Sequence, residues 1–438
     1  IRSLLDNDLY KLTMHQAVWK RYPDATVRYA FKNRSPAQRF SARGFAVLQA
    51  AVAALRDVRL TAAEHAWLSR LADTTPLVSH DYVAVLAAFR FDPAAHIDLT
   101  WDAASGQITL WIAGRWRDTI LYEIPLLALI AETYFAVEAT AWTHDGQEAQ
   151  AYAKAQRLLG MGAVFTDFGT RRRRDFRTHA LVLHGLFRAQ RDADAGARDI
   201  GSSSSSSGRF MGTSNVYLAM VTDTIPIGTL AHEWFMAHAV LPPVAAASPD
   251  AAADAAADGA DAPMDAPSTV RHANRNGIAA WLDVFPRGLG VFLTDTYGSS
   301  LFFRDMDAAL ARQIDGLRHD SGDPGVLWEA AAAAFLRCGV DDLATKQLVF
   351  SDGLTVDRVA AILRDVRDWE ARHARRGMRV AFGIGTHLTN DFVDTHTQAP
   401  SPPVNIVIKL HACNGRHVVK LSDDVGKHQG DAGTVAAV

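Results

Sequence analysis

Polar side chains that could bind phosphate or transfer a proton follow directly after several short apolar runs of this sequence. Arg171 to Arg174 come after the run Ala163–Phe168 and one glycine turn, and the planar fork of arginine suits carboxylate and phosphate oxygens. His232 comes after Ile225–Leu230, and an imidazole can act as a base or accept a phosphoryl group near neutral pH. Each feature alone also fits a solvated basic patch or a packed histidine. Together they favour a site for an anionic, phosphorylated ligand.

Three glycine-containing turns add groups that complement such a ligand. Gly212–Asn215 supplies hydroxyls at a predicted helix start, where they can cap the helix or bind an anion. Asp320, within Arg318–Pro324, can accept hydrogen bonds from ribose hydroxyls or hold Mg²⁺. Gly383–Thr386 follows an apolar run, and its backbone N–H groups can form a phosphate cradle.

Composition and missing motifs exclude several other classes. The 438 residues carry 45 Lys and Arg against 48 Asp and Glu, a net charge of -3, which disfavours a dedicated nucleic-acid binder. The sequence has no zinc-type cysteine spacing, no Gly-x-x-x-x-Gly-Lys loop and no Gly-x-Ser-x-Gly elbow, so zinc, P-loop and esterase chemistry are disfavoured. Two cysteines exclude a disulfide framework and suit the reducing cytoplasm. The apolar run Ile124–Val137 is too short for a membrane span and contains Pro125 and Glu132.

The elements that must position these groups alternate regularly after residue 160. Six clear apolar runs and two weaker ones, separated by helix-like segments, predict a β/α barrel. Polar clusters follow most of these runs and would therefore share one rim, at the strand C-termini, where barrel enzymes place their sites. The clear runs are Ala163–Phe168, Ile225–Leu230, Gly290–Thr294, Leu348–Phe350, Val380–Ile384 and Val404–Leu410, and the weaker ones are Phe210–Met211 and Gly316–Leu317.

Residues 1–160 have a different pattern, which predicts an α+β domain packed beside the barrel. The barrel is predicted over 161–412, with flexible insertions at 201–208 and 245–267, and residues 413–438 form a C-terminal tail. The predicted N-terminal strands are Thr26–Phe31, Ile97–Thr100 and Gln107–Ile112, and the predicted helices are Leu4–Arg21, Phe45–Val58, Ala62–Leu71 and Pro125–Ala139.

The order of these motifs resembles the nicotinate phosphoribosyltransferases, a type II phosphoribosyltransferase family. The resemblance covers all but the serine run, the Ala/Asp-rich insertion and the last dozen residues. The matching segments are Leu5–Met14, Phe168–Arg171, Gly212–Asn215, Gly228–Trp234, Leu293–Tyr297, Asp320–Asp323, Ser351–Gly353, Gly383–Thr386, Asn414–Gly415 and Lys420–Asp423.

The resemblance implies an irregular β/α barrel with an N-terminal α/β domain, and a cytoplasmic homodimer. It implies that nicotinate and phosphoribosyl pyrophosphate give nicotinate mononucleotide and pyrophosphate, the first step of NAD salvage from nicotinate. ATP would be a co-substrate that stimulates the reaction, and Mg²⁺ a cofactor. The resemblance implies no nucleic-acid or membrane partner.

The resemblance also implies roles for individual residues. His232 would become phosphorylated, and Asp295 would orient it. Arg318 would bind the nicotinate carboxylate, and Asp320 would accept the ribose hydroxyls. Tyr10 would stack on nicotinate, reaching the site of a neighbouring subunit. The other predicted substrate-binding residues are Phe168, Arg171 and Ser214 in the nicotinate pocket, and Gly353, Gly385 and Thr386 at the 5′-phosphate.

Two alternatives stay open at this point. The first is a sister enzyme that acts on nicotinamide or quinolinate, although serine rather than an acidic residue at position 214 favours nicotinate. The second is a non-catalytic barrel that senses nucleotides. The presence of His232, Arg318 and Asp320 argues against this alternative. The run Asp424–Lys427 departs from the family pattern, so no role is assigned to the tail.

Overall fold

The computed structural model describes residues 1–199, 208–243 and 267–428, together with 430, 433 and 435. The predicted serine run at 202–207 and residues 245–266 of the Ala/Asp-rich insertion lie outside the described residues, as does most of the tail after residue 428.

The N-terminal part mixes helices with three strands, as predicted. Its first helix begins later than predicted, because Asn7 and Asp8 form extended pairing with residues 214–216 instead of joining the helix. Ser41 accepts a hydrogen bond from the Gly44 amide, and this N-cap starts the second helix ahead of its predicted position. The elements are α1 (Leu9–Arg21), β1 (Thr26–Asn33), α2 (Ala42–Ala53), α3 (Ala62–Thr74), α4 (His80–Ala88), α5 (Pro93–His96), β2 (Ile97–Asp102), β3 (Gln107–Arg115), α6 (Trp116–Thr119), α7 (Glu123–Val137) and α8 (Gln147–Gly160).

Strands and helices then alternate through the rest of the described chain. The elements are β4 (Val164–Asp167), α9 (Phe176–Asp199), β5 (Arg209–Thr213), α10 (Val216–Val221), α11 (His232–His238), α12 (Pro267–Val284), β6 (Val291–Leu293), α13 (Ser299–Asp305), α14 (Ala308–Gln313), β7 (Gly316–His319), α15 (Pro324–Arg337), β8 (Gln347–Phe350), α16 (Val356–His373), β9 (Arg379–Ile384), α17 (Thr386–Thr389), β10 (Phe392–Val393), β11 (Pro400–Ser401), β12 (Ile406–Cys413) and β13 (Arg416–His417). Short 3-10 helices cover Ala54–Asp57, Ile120–Tyr122, Thr170–Arg172, Leu343–Thr345 and Val425–Lys427.

Six strands form a parallel sheet in the order β5-β4-β9-β8-β7-β6, which confirms the predicted α/β class. Both weaker strand predictions are correct, since they fall within β5 and β7. The prediction of a regular strand at Ile225–Leu230 is wrong. This segment runs beside β5, where the Ile227 amide donates to the Thr213 carbonyl, but Pro226 has no N–H to continue a ladder. Among the described residues, no regular strand therefore joins β5 to β6, the two edge strands of this sheet.

A second sheet is antiparallel, in the order β13-β12-β1-β3-β2. Its strand β12 includes residues 406–410 of the run Val404–Leu410, which was predicted to be a barrel strand. That placement is wrong, because β12 pairs with β1 from Val27 opposite Cys413 to Asn33 opposite Ile406. The chain thus returns to the N-terminal sheet before it ends. The domain boundaries at residues 160 and 412 stay a prediction.

The most apolar segment of the described chain is Trp116–Val137, which includes α7. By length and composition its 22 residues could cross a membrane, but 78% of the relevant window is buried inside the protein. Helix α7 packs against α2 and against the 3-10 turn Thr170–Arg172. It is therefore a core helix that carries Glu123 to the edge of the parallel sheet.

Candidate active site

Loops at the C-terminal ends of the parallel strands enclose a cavity of about 520 Å³. Because parallel strands end on the same edge, residues that follow four different strands meet there. Seven predicted site residues line the cavity: Phe168 and Arg171 after β4, Arg318 and Asp320 at the end of β7, Gly353 after β8, and Gly385 and Thr386 after β9.

Positive charge dominates the lining of this cavity. Seven lysine and arginine side chains outnumber the three aspartates, Asp320, Asp352 and Asp391. A concave wall of one charge sign concentrates ligands of the opposite sign. The cavity therefore suits a substrate that carries several phosphate charges. Its cationic residues are Arg34, Arg171, Arg172, Arg318, Lys409, Lys420 and Lys427.

Glycines allow the floor of the cavity to close tightly. A Cβ atom at Gly383 would overlap Cδ2 and Cε2 of Phe168, so the aromatic ring lies flat against this backbone. Gly353 has a φ of +54°, with no heavy atom within 4 Å of its missing side chain. It therefore leaves free space where a substrate phosphate could approach the backbone.

Arg318 is held at the cavity wall by several contacts. Its Nε donates to Ser351 Oγ at 2.8 Å, its Nη1 to Thr229 Oγ1 at 2.7 Å, and its Nη2 to Asp320 Oδ1 at 3.0 Å. Its guanidinium carbon lies 5.9 Å from the centre of the Phe168 ring. An aromatic acid stacked on Phe168 could therefore present its carboxylate to Arg318.

His232 begins helix α11 and is buried, with 5% of its surface exposed. Its Nδ1 lies 3.0 Å from Thr296 Oγ1, and its Nε2 lies 3.0 Å from Asp320 Oδ2 and 2.8 Å from Lys420 Nζ. Asp295 was predicted to orient the ring, but its Oδ1 lies 3.7 Å from Nε2. The nearer polar partners of the ring are Thr296, Asp320 and Lys420, and the orienting role of Asp295 stays a prediction.

Burial lowers the pKa of His232, and the Lys420 ammonium lowers it further, against the opposite effect of Asp295 and Asp320. Desolvation and one lysine therefore keep the imidazole neutral at pH 7. Burial alone would raise the pKa of Asp320, but the charges of Arg318 and Lys420 hold it well below its usual range.

Lys420 has no counterpart among the predicted site residues, although its segment belongs to the motif quoted above. Its Nζ lies 3.0 Å from Asp295 Oδ2, and only 3% of the surface of Lys420 is exposed. Two hydrogen bonds hold the residues after Lys420 beside the site. The Leu421 amide donates to the Thr296 carbonyl at 2.8 Å, and Ser422 Oγ donates to Ser321 Oγ at 2.8 Å. Local sequence gave no sign of this role, because Lys420 is 188 positions from His232.

Tyr10 and Ser214 are not among the described residues that line the cavity. Ser214 Oγ donates to Asp8 Oδ1 at 2.8 Å, and Thr170 Oγ1 donates to the same oxygen at 2.7 Å. The serine hydroxyl therefore fastens the N-terminal segment to the turn after β5. Burial raises the pKa of the Tyr10 hydroxyl, with Glu123 adding to the effect and Arg171 opposing it. The predicted reach of Tyr10 into a neighbouring subunit stays a prediction.

A buried ion-pair network lies behind the cavity and was not predicted. Lys11 Nζ lies 2.6 Å from a carboxylate oxygen of Glu123 and 2.6 Å from one of Glu233, and none of its side chain is exposed. Glu123 also faces Arg171 at 3.9 Å. The network thus connects a cavity arginine to the residue that follows His232.

A larger cavity, of about 790 Å³, lies between helices α15 and α16 and is lined in part by Trp328 and Trp369. None of the predicted site residues is among the described residues that line this larger cavity. The chemistry therefore belongs to the smaller cavity.

This fold and this cavity define an α/β enzyme with a cationic site for a phosphorylated substrate and a neutral histidine at its edge. Two family models match the chain: the nicotinate phosphoribosyltransferase N-terminal domain over residues 5–131, and the nicotinate phosphoribosyltransferase family over residues 163–438. The chain therefore belongs to the nicotinate phosphoribosyltransferase family.

Relatives of known description agree with this assignment over their full lengths. A nicotinate phosphoribosyltransferase of Saccharomyces cerevisiae is 33% identical, with 100% of this chain and 94% of the relative covered. A solved structure from the same organism superposes with a TM-score of 0.85 at 32% identity, covering 100% of this chain and 96% of that one. The nicotinate phosphoribosyltransferase structure from Porphyromonas gingivalis gives a TM-score of 0.81 at 29% identity, covering 100% and 98%.

These findings decide between the alternatives left open by the sequence. The family consists of nicotinate phosphoribosyltransferases, so the protein is an enzyme of this transferase type and not a non-catalytic barrel. The family reaction is the first step of NAD salvage from nicotinate, which sets aside the nicotinamide and quinolinate alternatives.

Proposed function

We propose that the 520 Å³ cavity binds nicotinate and phosphoribosyl pyrophosphate and joins them to give nicotinate mononucleotide and pyrophosphate, with ATP hydrolysis at His232 stimulating the reaction. The observation that carries this proposal is the convergence of seven cationic side chains with the glycine turns after β8 and β9 on one cavity. The 5′-phosphate would lie against Gly353, Gly385 and Thr386, and Asp320 would accept the ribose hydroxyls.

The charges of the cavity suit the bond that must break. As pyrophosphate leaves C1 of the ribose, positive charge grows on the sugar and negative charge on the leaving group. Arginine and lysine side chains fixed around the leaving group stabilise this separation without having to reorganise. Nicotinate is an anion, so Arg318 beside Phe168 would orient it by a charge-assisted hydrogen bond.

His232 would accept the γ-phosphoryl group of ATP through Nε2. In this role His232 would carry its lone pair on Nε2, which accepts from Lys420, and its proton on Nδ1, which donates to Thr296. Nε2 forms a bond to the γ-phosphorus, the bond to the β-phosphate oxygen breaks, and ADP leaves. Water then attacks the phosphorus, and the N–P bond breaks to release phosphate and restore the neutral imidazole.

Mg²⁺ is proposed to arrive bound to substrate phosphates, as it commonly does in phosphate-processing sites. His232, Asp295 and Asp320 place potential ligand atoms within 4.8 Å of one another. An ion does not fit among them in this arrangement, since Lys420 Nζ lies 2.8 Å from His232 Nε2 and 3.0 Å from Asp295 Oδ2. The ion would add positive charge beside the pyrophosphate.

The proposal extends to assembly and location. The protein is proposed to act as a cytoplasmic homodimer, with Tyr10 placed near the cavity so that a neighbouring subunit could use it. Two buried free cysteines, Cys338 and Cys413, agree with a reducing compartment.

The experiment incubates the protein with phosphoribosyl pyrophosphate, Mg²⁺ and either nicotinate, nicotinamide or quinolinate, with and without ATP, and identifies the mononucleotide. Nicotinate should be the preferred acceptor, and ATP should increase its turnover. His232→Ala should lose ATP hydrolysis and ATP stimulation but keep ATP-independent transfer, because the arginines and the phosphate cradle remain.

The matched control is His80→Ala, since His80 is exposed and pairs with the equally exposed Asp73. With γ-labelled ATP, wild type and the control should carry an acid-labile, base-stable label that His232→Ala lacks. Equal labelling of His232→Ala would contradict the role of the histidine. A preference for nicotinamide would contradict the proposed substrate.

A further inference from the structure

Lys420 Nζ lies between one imidazole nitrogen and two carboxylates. It is 2.8 Å from His232 Nε2, 3.0 Å from Asp295 Oδ2 and 3.5 Å from Asp320 Oδ2. An ammonium group has three N–H donors and no acceptor, so it matches three surrounding acceptors. With the residue 3% exposed, these acceptors replace most of the water that the ammonium would otherwise bind.

The three residues are spaced closely enough to surround one metal ion. Each of His232, Asp295 and Asp320 offers a ligand atom within 4.8 Å of the others, and His232 Nε2 lies 3.0 Å from Asp320 Oδ2. Metals bound at about 2.0–2.2 Å by imidazole nitrogen and carboxylate oxygen hold neighbouring ligand atoms about 3–4 Å apart. One imidazole and two carboxylates are also a ligand set that transition metals accept.

Asp295 shows how strongly this cluster depends on the lysine. Its Oδ2 accepts a hydrogen bond from Ser321 Oγ at 2.5 Å, but its buried Oδ1 has no hydrogen-bond partner among the described residues. Without the lysine, Asp295 and Asp320 would be two neighbouring carboxylates balanced only by Arg318, which pairs with Asp320. A buried cation is therefore needed to hold the cluster together.

We propose that Lys420 takes the place of a metal ion in this cluster: its ammonium holds His232, Asp295 and Asp320 together and keeps Nε2 of His232 as the unprotonated nitrogen. The second part rests on the proposed phosphorylation of His232, whereas the first part does not. Without Lys420, Nε2 has Asp320 as its nearest partner at 3.0 Å. It would then take the proton and donate to that carboxylate, which removes the lone pair that attacks phosphorus.

Attachment of the tail explains how a lysine can serve as a fixed charge. The Leu421 amide donates to the Thr296 carbonyl, and Asp423 accepts from the Ser299 amide at 2.7 Å. Thr296 also contacts the ring of His232. The flexible lysine is thus anchored to the same residue that orients the histidine.

The test measures Co²⁺ binding to the full chain, because Co²⁺ bound by nitrogen and oxygen ligands has visible absorption bands. Lys420→Ala leaves an imidazole and two carboxylates without their cation, so it should bind one Co²⁺ per chain at least about 10-fold more tightly than wild type. Adding Asp295→Asn removes a ligand and should weaken binding by about 10-fold or more. Lys420→Arg keeps the positive charge and should bind Co²⁺ no better than wild type.

The outcome of Co²⁺ binding either supports or overturns the proposed role of Lys420. Co²⁺ bands in Lys420→Ala that disappear in the Asp295→Asn double variant support the proposal. Equal Co²⁺ binding by wild type and Lys420→Ala, with near-UV circular dichroism unchanged, overturns it, and so does binding that Asp295→Asn leaves intact. If Lys420→Ala is misfolded, Lys420→Met at the same position repeats the test with the side-chain volume retained. Since none of these measurements needs ATP, a failed phosphorylation test and a failed cation test remain distinguishable.

For the second part, ¹⁵N chemical shifts of labelled histidine distinguish the two ring tautomers. Wild type and Lys420→Arg should show His232 protonated on Nδ1, and Lys420→Met should show it protonated on Nε2. An unchanged tautomer in Lys420→Met would refute the positioning role.

Discussion

Replacing Lys11 with methionine should destabilise the protein more than any surface substitution, because the buried Lys11 ammonium bridges the carboxylates of Glu123 and Glu233. Burial lowers the pKa of Lys11, but the two carboxylates more than offset this and raise it, so the lysine stays charged. Methionine keeps the volume of the side chain, so the change removes charge and leaves little cavity. Removing one partner of a buried ion pair costs about 3–5 kcal/mol, since the other charge is left unpaired.

This loss can be converted into a change in melting temperature. An unfolding entropy of about 2.1 cal/mol/K per residue gives about 0.9 kcal/mol/K for a chain of this length. A loss of about 4 kcal/mol should therefore lower Tm by about 4 °C. Differential scanning calorimetry of wild type and Lys11→Met measures this shift directly.

The two glutamates predict which second change restores stability. Burial raises the pKa of Glu233, and Glu123 raises it further, against the effect of Lys11. Glu123 has Arg171 within 3.9 Å and so keeps a cation when the lysine is gone. Lys11→Met combined with Glu233→Gln should therefore recover most of the lost stability. The reasoning is refuted if Lys11→Met lowers Tm by less than about 1 °C, or if the double variant is no more stable than the single one.

Two further predictions concern the cavity. Gly383→Ala should raise the KM for nicotinate by about 10-fold or more, because the new Cβ overlaps the Phe168 ring and costs about 1–3 kcal/mol to accommodate. The matched control is Gly160→Ala, since no heavy atom lies within 4 Å of a Cβ at Gly160. Equal KM values for the two variants would contradict the packing argument. Burial lowers the pKa of Lys409 to about 8, with Lys420 and Arg171 adding to the effect and Glu123 opposing it. Lys409 is thus cationic below that pH and neutral above it, so the KM for phosphoribosyl pyrophosphate should rise between pH 7 and 9. Lys409→Arg should flatten this pH profile of KM. An equally steep profile in the variant would exclude Lys409 as its source.

The sequence by itself determined the chemistry that follows each strand. Phe168, Arg171, Arg318, Asp320, Gly385 and Thr386 could be placed together because a polar cluster after an apolar run lies at a strand end, and parallel strands end on one edge. Residues next to one another in the chain carry this signal, so it needs no knowledge of distant contacts. The glycine turns were readable for the same reason, since each is built from consecutive residues.

Only the tertiary structure decided the partners of these groups. Lys420 meets His232 across 188 positions, and Lys11 meets Glu233 across 222. Strand β12 belongs to the antiparallel sheet, where it pairs with β1, and not to the predicted barrel. The apolar residues of its sequence fit either sheet equally well. Ion pairs and strand pairing depend on which surfaces the whole folded chain brings together. The composition of a short segment does not show which distant residues it will contact. The histidine could therefore be identified from its motif, whereas the lysine that contacts its Nε2 could be found only in the folded chain.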